Sequence, residues 1–439
     1  MISNYWVRSV SYSSLVGLTP VGIGFIVFLA LVRMLNTEEF GIWALFQITI
    51  TLIESSRQAL LHNGTIKFLS IDENKNRIKC ASLIINLLYG VIFSILLQLV
   101  NFLYVTTSQD RVLLEMLSIY GITVIIQSFF VHSNILLVFK LNFKAIFFIN
   151  LIRQGSFGLI VIFYFYTDSK ISVIDLAVWN LVSNSIGAVF SFLFVKAEYS
   201  FTTNGVTYQI KRILNYGKYV LGTGLGGIIS NSVDQFMLSA MVSNTSVAVY
   251  NTCIRIPNLV NIPANAIAAT LFPISAKLST NDKITVSNLF SKLVGANIAI
   301  ISPVVLIILI IPEYVLYMIA GEQYSEFYNV LRLMIMTTLL VPISRQFGTI
   351  LDSLGRPKIN FYLTMGSAIF NILLNVILIN IWGLKGAVIG TLISYIIAII
   401  IIMIILNRHI DFNPLILLKD IYNFYPRIIK KLTLKIDTK

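Results

Sequence analysis

Apolar residues in this chain run in long blocks, separated by short polar breaks, from one end almost to the other. Read by length and flanks, the blocks lie near 10–32, 41–62, 81–104, 112–139, 143–166, 172–195, 215–240, 247–275, 287–311, 327–352, 359–381 and 384–407. A helix needs roughly 20 apolar residues to cross the hydrocarbon of a bilayer. None of the blocks alternates strictly, as barrel strands do. Lipid admits only helices and closed barrels, because every backbone group must find its partner within the protein. The pattern predicts an all-α polytopic membrane protein with about twelve transmembrane helices. The first block follows a short polar N-terminus with no small-residue cleavage site, which reads as a retained helix rather than a signal peptide.

Composition sharpens this picture. Of 439 residues, 57% are hydrophobic and 12% charged, with a net charge of +13. With an even number of spans and both termini cytoplasmic, the loop Lys and Arg residues gather on the cytoplasmic side. Only Arg33, Arg111, Lys170 and Lys385 fall on the other. That bias is what orients membrane proteins. The positive charge is therefore mostly topology, and no basic soluble domain exists to bind nucleic acid. The two cysteines, Cys80 and Cys253, lie on different spans, and the three histidines are scattered. No zinc motif or catalytic triad is visible.

The longest cytoplasmic connection, near 196–214, divides the chain into a six-helix lobe at 1–200 and another at 201–407. Residues 408–439 read as a cytoplasmic amphipathic tail, too charged to span and suited to the interface. The halves show weak similarity. Aligning Met34 with Met241 places Gly41 on Ala248 and Trp43 on Tyr250. Six spans per half make the repeat parallel, with a central cavity between the halves as the expected substrate site.

Three segments carry a family resemblance. "LVRMLNTEEFGIWAL" resembles the span 1–2 connection of polysaccharide flippases. "VYNTCIRIPNLVNIPANAIAATLFPISAKL" resembles their eighth span. "LGRPKINFYLTMGSAIFNILLNVILINIWGLKGAVIGTLISY" resembles their spans eleven and twelve. The chain is similar to the polysaccharide (O-antigen, Wzx-type) branch of the multidrug/oligosaccharidyl-lipid/polysaccharide exporter superfamily. The resemblance implies two six-helix lobes opening alternately around a cationic cavity. It implies an undecaprenyl-diphosphate-linked glycan as substrate, in contact with membrane lipid and glycan polymerase machinery, at the bacterial inner membrane. No cofactor is expected beyond coupling to a Na⁺ or H⁺ gradient.

Several intramembrane residues could serve such a role. In span two, Gln47, Thr51, Glu54 and Gln58 fall within about 60° at ~100° per residue, with His62 continuing the stripe and Arg57 beside it. They read as a cavity wall, or as a helix contact in which Glu54 and Arg57 neutralise each other. Span eight carries Asn251, Arg255, Asn258 and Asn265, with Asn261 at the edge and Pro257 and Pro263 between. Asn amides suit sugar hydroxyls. Arg255 lies ~12 Å into its span at 1.5 Å per residue, where its planar fork could hold a diphosphate or acidic sugar or pair with Asp234. Arg153, mid-depth in span five, is a further cavity candidate. Span seven offers Asn231, Asp234 and Gln235 as a coupling-ion or proton site after a glycine-rich run that suits bending or packing. Arg332 lies near the outer end of its span, and Arg345 is a candidate partner of Asp352. An anion-binding Arg surplus favours a lipid-linked glycan over a cationic drug. A glycan polymerase or ligase would need a large outer loop, which is missing here.

The basic bias makes a direct prediction. A reporter fused after Asn204 should read cytoplasmic, and a periplasmic signal there would overturn the topology.

Overall fold

The structure is a computed structural model and describes residues 2–104, 111–199, 202, 204–262, 264, 267, 283–353, 357–410 and 414–436. The described residues are almost wholly helical. In chain order the helices are α1 (Ile2–Met34), α2 (Thr37–Ile71), α3 (Lys75–Tyr104), α4 (Arg111–Phe139), α5 (Phe143–Tyr166), α6 (Val173–Val195), α7 (Val206–Met241) and α8 (Asn244–Val260). They continue with α9 (Lys283–Ile310), α10 (Pro312–Ala320), α11 (Glu322–Ser325), α12 (Tyr328–Thr337), α13 (Val341–Ser353), α14 (Pro357–Ile410) and α15 (Pro414–Ile436). Among the described residues, eight stretches are long and apolar enough to cross a membrane by length and composition. One of them, Lys358–Ile405, is 48 residues long. It breaks at Gly383 (φ 55°, ψ −131°), a left-handed turn that favours glycine. That break falls between the two apolar blocks expected there.

Local chemistry sets the boundaries. Asn36 caps α2 and Ser172 caps α6, each in a reciprocal capping box, with Glu39 and Asp175 respectively. Asn142 caps α5 just after Leu141 turns left-handed (φ 56°). In span eight the regular helix ends at Val260, and the Asn261 amide bonds back to Pro257 O at 2.9 Å. Large apolar side chains such as Phe102 and Tyr166 stand exposed, as lipid-facing residues do.

The chain divides into two compact units, Met1–Ser232 and Val233–Lys439. In the first, α4 packs against α2, α3, α5 and α6, while α1 lies on α5. In the second, α9 packs against α12, α13, α14 and α15, and α12 against α8 and α14. The boundary therefore falls after the middle of α7 rather than at the expected 200/201. The reason is the tight seat of α7's first half on α2. A Cβ at Gly217 would stand 1.9 Å from Leu60 O, and one at Gly64 would stand 3.2 Å from the Tyr216 ring. Arg212 donates to Asp72 at 2.7 Å and lies over the Phe68 ring.

The connection before α7 is pinned as well. Glu198 pairs with Lys79 at 2.6 Å and with Lys140, and Cys80 Sγ donates to Thr202 O at 3.3 Å. The Lys140 and Lys79 ammonium groups hold the Glu198 carboxyl below its ordinary value. Arg212 does the same for Asp72. Depressed carboxyls contribute stability above their unfolded value and lose it as pH falls through the folded one. Both clamps should therefore hold at neutral pH and loosen only as pH falls below the ordinary carboxylate range.

The last helix, expected as an interfacial tail, packs along α9. Leu417 joins the core of Val286, Phe290 and Val294.

Gly217→Ala should drive backbone into backbone and cost on the order of 1–3 kcal/mol or more. Thermal unfolding in detergent should show a clear drop. An unchanged midpoint would mean that α7 is not seated this closely on α2.

Candidate functional site

Glu54 in the N-terminal unit and Asp234 in the C-terminal unit are held in opposite ways. In the N-terminal unit, Glu54 and Arg57 pair one helical turn apart on α2. Arg57 is completely covered. Its Nη1 donates to Val124 O (3.1 Å) and Ser128 Oγ (3.2 Å) on α4, and its guanidinium lies over the Tyr89 ring of α3. The Tyr120 hydroxyl donates to Glu54 at 2.6 Å. Gln127 accepts from Arg57 Nη2 at 3.4 Å and donates through Nε2 to Asn184 Oδ1 on α6 at 2.8 Å. Arg153 Nη1 on α5 donates to the same Asn184 oxygen at 3.0 Å and lies over the Phe130 ring. Arg153 packs against Gly187, where any side chain would collide with its stem. Its Nε has no partner among the described residues. One network thus ties α2, α3, α4, α5 and α6, and contains two guanidiniums and one carboxylate.

In the C-terminal unit, Asp234 on α7 is 5% exposed. It receives the Tyr250 hydroxyl (2.6 Å), the Asn375 amide (2.6 Å) and the Thr391 hydroxyl (3.0 Å). Asn371 stands behind, accepting from Asn375 and donating to Thr391 and Ser394. All these partners are neutral. Gly390 makes the arrangement possible, because a Cβ there would stand 2.2 Å from Asn375 Oδ1. A second chain runs beside it: Asn251 donates to Gln235 at 2.8 Å, and Arg255 Nε donates to Asn251 Oδ1 at 3.2 Å. Arg255 and Asp234 form no salt bridge with each other.

The residues expected from sequence are placed as follows. Thr51 and Gln58 are exposed, Gln47 and Glu54 are half-buried, and all share one face of α2. Arg57 lies behind that face, enclosed and neutralised, in the helix-contact arrangement. Arg153 and Arg255 are half-buried, Asn251 is half-buried and Asn258 exposed. Gln235 bonds Asn251 and not Asp234. Asn265 and the side chain of Asn231 lie outside the described residues. Asp352 accepts from Asn360 at 3.0 and 3.1 Å, while Arg345 is exposed. Sequence reasoning missed Tyr120, Gln127 and Asn184 in one unit and Tyr250, Asn375 and Thr391 in the other. The Asn371/Asn375 pair, one helical turn apart inside an apolar span, was the available signal. Among the described residues no three His, Cys, Asp or Glu come together as a metal site.

Buried polar networks inside a bundle of membrane-length helices make this a polytopic helical membrane fold. That fold matches an inward-facing multidrug MATE transporter with a TM-score of 0.74, at 16% identity over 92% of this chain and 98% of that one. It matches the inward-closed lipid II flippase MurJ with a TM-score of 0.72, at 14% identity over 97% of this chain and 93% of that one. The chain belongs to the family described as polysaccharide biosynthesis protein, which matches residues 30–329. Over 186 residues it is 24% identical to the probable low-salt glycan biosynthesis flippase Agl15 of Haloferax volcanii, covering 42% of this chain. It spans only 39% of that relative's length.

Gly390→Ala should push Asn375 off Asp234 and reproduce the transport defect of Asn375→Ala. Normal transport by Gly390→Ala, with Asn375→Ala impaired, would show that the close approach is dispensable.

Proposed function

We propose that this protein is a flippase. It carries an isoprenoid-diphosphate-linked oligosaccharide, a repeat unit of the O-antigen or capsule kind, across the bacterial inner membrane. The charge balance of the N-terminal network supports this reading. Arg57 is neutralised by Glu54, whereas Arg153 forms no salt bridge among the described residues. Arg153 lies ten residues into α5, ~15 Å along it at 1.5 Å per residue. A cation at that depth is costly without an anion. A diphosphate linker supplies one, and a guanidinium fork suits it. Arg255, similarly deep in the other unit, is the second anion contact. Thr51, Gln58 and Asn258 offer exposed hydrogen-bonding groups for sugar hydroxyls. Family membership and the flippase named among the relatives agree with a glycan cargo. A cationic drug would call for deep acids in excess, the reverse of this inventory.

Transport by alternating exposure to the two membrane faces needs a driving ion. Asp234 is the site we assign to it. Its carboxylate accepts from the Tyr250 and Thr391 hydroxyls and the Asn375 amide nitrogen and has no cationic partner among the described residues, which suits exchange of a proton or a small cation.

Arg153→Ala and Arg255→Ala should each lower glycan export about tenfold or more while the protein still accumulates in the membrane. The Lys variants should recover only part, because a point charge lacks the bidentate fork. Full export by both Ala variants in a complementation assay would overturn the anion reading. In proteoliposomes, Asp234→Asn should abolish the dependence of transport on an imposed Na⁺ or pH gradient. Unchanged dependence would remove Asp234 from the coupling site.

A further inference from the structure

The N-terminal network holds two guanidiniums and treats them unequally. Arg57 receives the carboxylate of Glu54, its neighbour on α2. Arg153 receives an amide instead, its Nη1 donating to Asn184 Oδ1 at 3.0 Å. Asn184 stands on α6, eleven residues before Val195, or ~16 Å back along the helix at 1.5 Å per residue. It is 4% exposed and level with Arg153 on α5.

The amide is itself locked. Its Nδ2 donates to Asn180 O at 2.8 Å and to Asn180 Oδ1 at 2.9 Å. Its Oδ1 accepts from Gln127 Nε2 at 2.8 Å as well as from Arg153. With acceptors on one side and donors on the other, the amide has one orientation that satisfies both. Two further contacts confine Arg153. Its guanidinium lies over the Phe130 ring, 4.6 Å from the centroid. Its stem lies so close to Gly187 that a Cβ there would stand 2.6 Å from Arg153 Cγ and 2.7 Å from Cδ. Oxygen, ring and glycine hold the fork from three sides.

An amide oxygen and a carboxylate oxygen fill this position equally well by shape. They differ in charge. A carboxylate here would pair with Arg153 as Glu54 pairs with Arg57, and a paired guanidinium has less to offer a third partner. A neutral oxygen orients the fork and leaves its charge in place.

We propose that Asn184 is a positioning residue for Arg153. It fixes the guanidinium deep in the bundle through a neutral hydrogen bond, so that the charge stays available to the diphosphate of the cargo. Asn184 acts through Arg153, and its role rests on the anion-contact reading of Arg153 given above.

Two near-isosteric substitutions test it, Asn184→Asp and Asn184→Leu, with farnesyl diphosphate as the probe and binding measured on the purified protein in detergent. A residue that only filled space would tolerate both. A residue that only tethered Arg153 would be replaced by Asp at least as well as by Leu. The expected order is the reverse. Asn184→Leu should weaken binding a few-fold, and Asn184→Asp should weaken it about tenfold or more, as Arg153→Ala does. The contact is read separately, without cargo, from accumulation in the membrane. Asn184→Asp should accumulate normally because Arg153 neutralises it. Combined with Arg153→Gln it leaves a carboxylate unpaired in the bundle and should accumulate poorly. Equal accumulation of the single and double variants, or poor accumulation of Asn184→Asp alone, overturns the contact and the proposal. Probe binding by Asn184→Asp as tight as by Asn184→Leu, with Arg153→Ala impaired, overturns the positioning role and leaves the anion reading standing. Undiminished binding by Arg153→Ala, or none by the unaltered chain, overturns the anion reading itself and the role of Asn184 with it.

Discussion

A guanidinium can sit in the middle of a bilayer only if everything around it cooperates, and the N-terminal unit is arranged around that requirement. Arg57 spends its donors on a carboxylate, a backbone carbonyl and a serine, and its face on a tyrosine ring. Each partner comes from a defined height on α2, α3 or α4, so satisfying the charge also fixes the register of those helices. Removing either member of such a pair leaves an uncompensated buried charge, which is more damaging than losing an apolar contact. The same polar atoms then reach α5 and α6 through Gln127 and Asn184. In a bilayer, where apolar surface gives helices little reason to associate, this network supplies the specificity.

The second unit answers the same difficulty differently. Glu54 and Asp234 each receive a tyrosine hydroxyl at 2.6 Å. There the likeness ends. Glu54 is balanced by a fixed cation, whereas the groups bonded to Asp234 are two hydroxyls and an amide. A carboxylate tied to an arginine in this way is part of the helix packing. One surrounded by neutral dipoles can exchange its counter-ion.

Much of this was legible in the chain. The apolar blocks anticipated α1 to α6 closely, because a run of about twenty apolar residues has few other fates. The hairpin at Gly383 and the interruption between Pro257 and Pro263 follow from residues whose backbone limits are local. The partners of Asp234 were not legible. Asn375 and Thr391 come from a helix far along the chain, and periodicity says nothing about which faces meet. Arg57 was ambiguous for a related reason. The spacing of Glu54 and Arg57 fits a pair as well as a cavity wall, and only the packing of α3 and α4 over it decides. The handover within α7 was also hidden, since the repeat in the sequence ends near 200 while the tight α2 seat requires Gly217 and Arg212.

That handover bears on how the molecule is made. Six spans have left the ribosome by Val195, yet the groove on α2 beside Leu60 and Gly64 is still empty. It is filled only when the opening turns of the next repeat arrive. The first six helices are therefore not a self-sufficient folding unit. A nascent chain halted after its sixth span would show the translocon, and any quality-control protease, an unfilled helix surface in the plane of the membrane. The residues that close the first unit are thus encoded at the beginning of the second, so synthesis of the second half is also the final step in assembling the first.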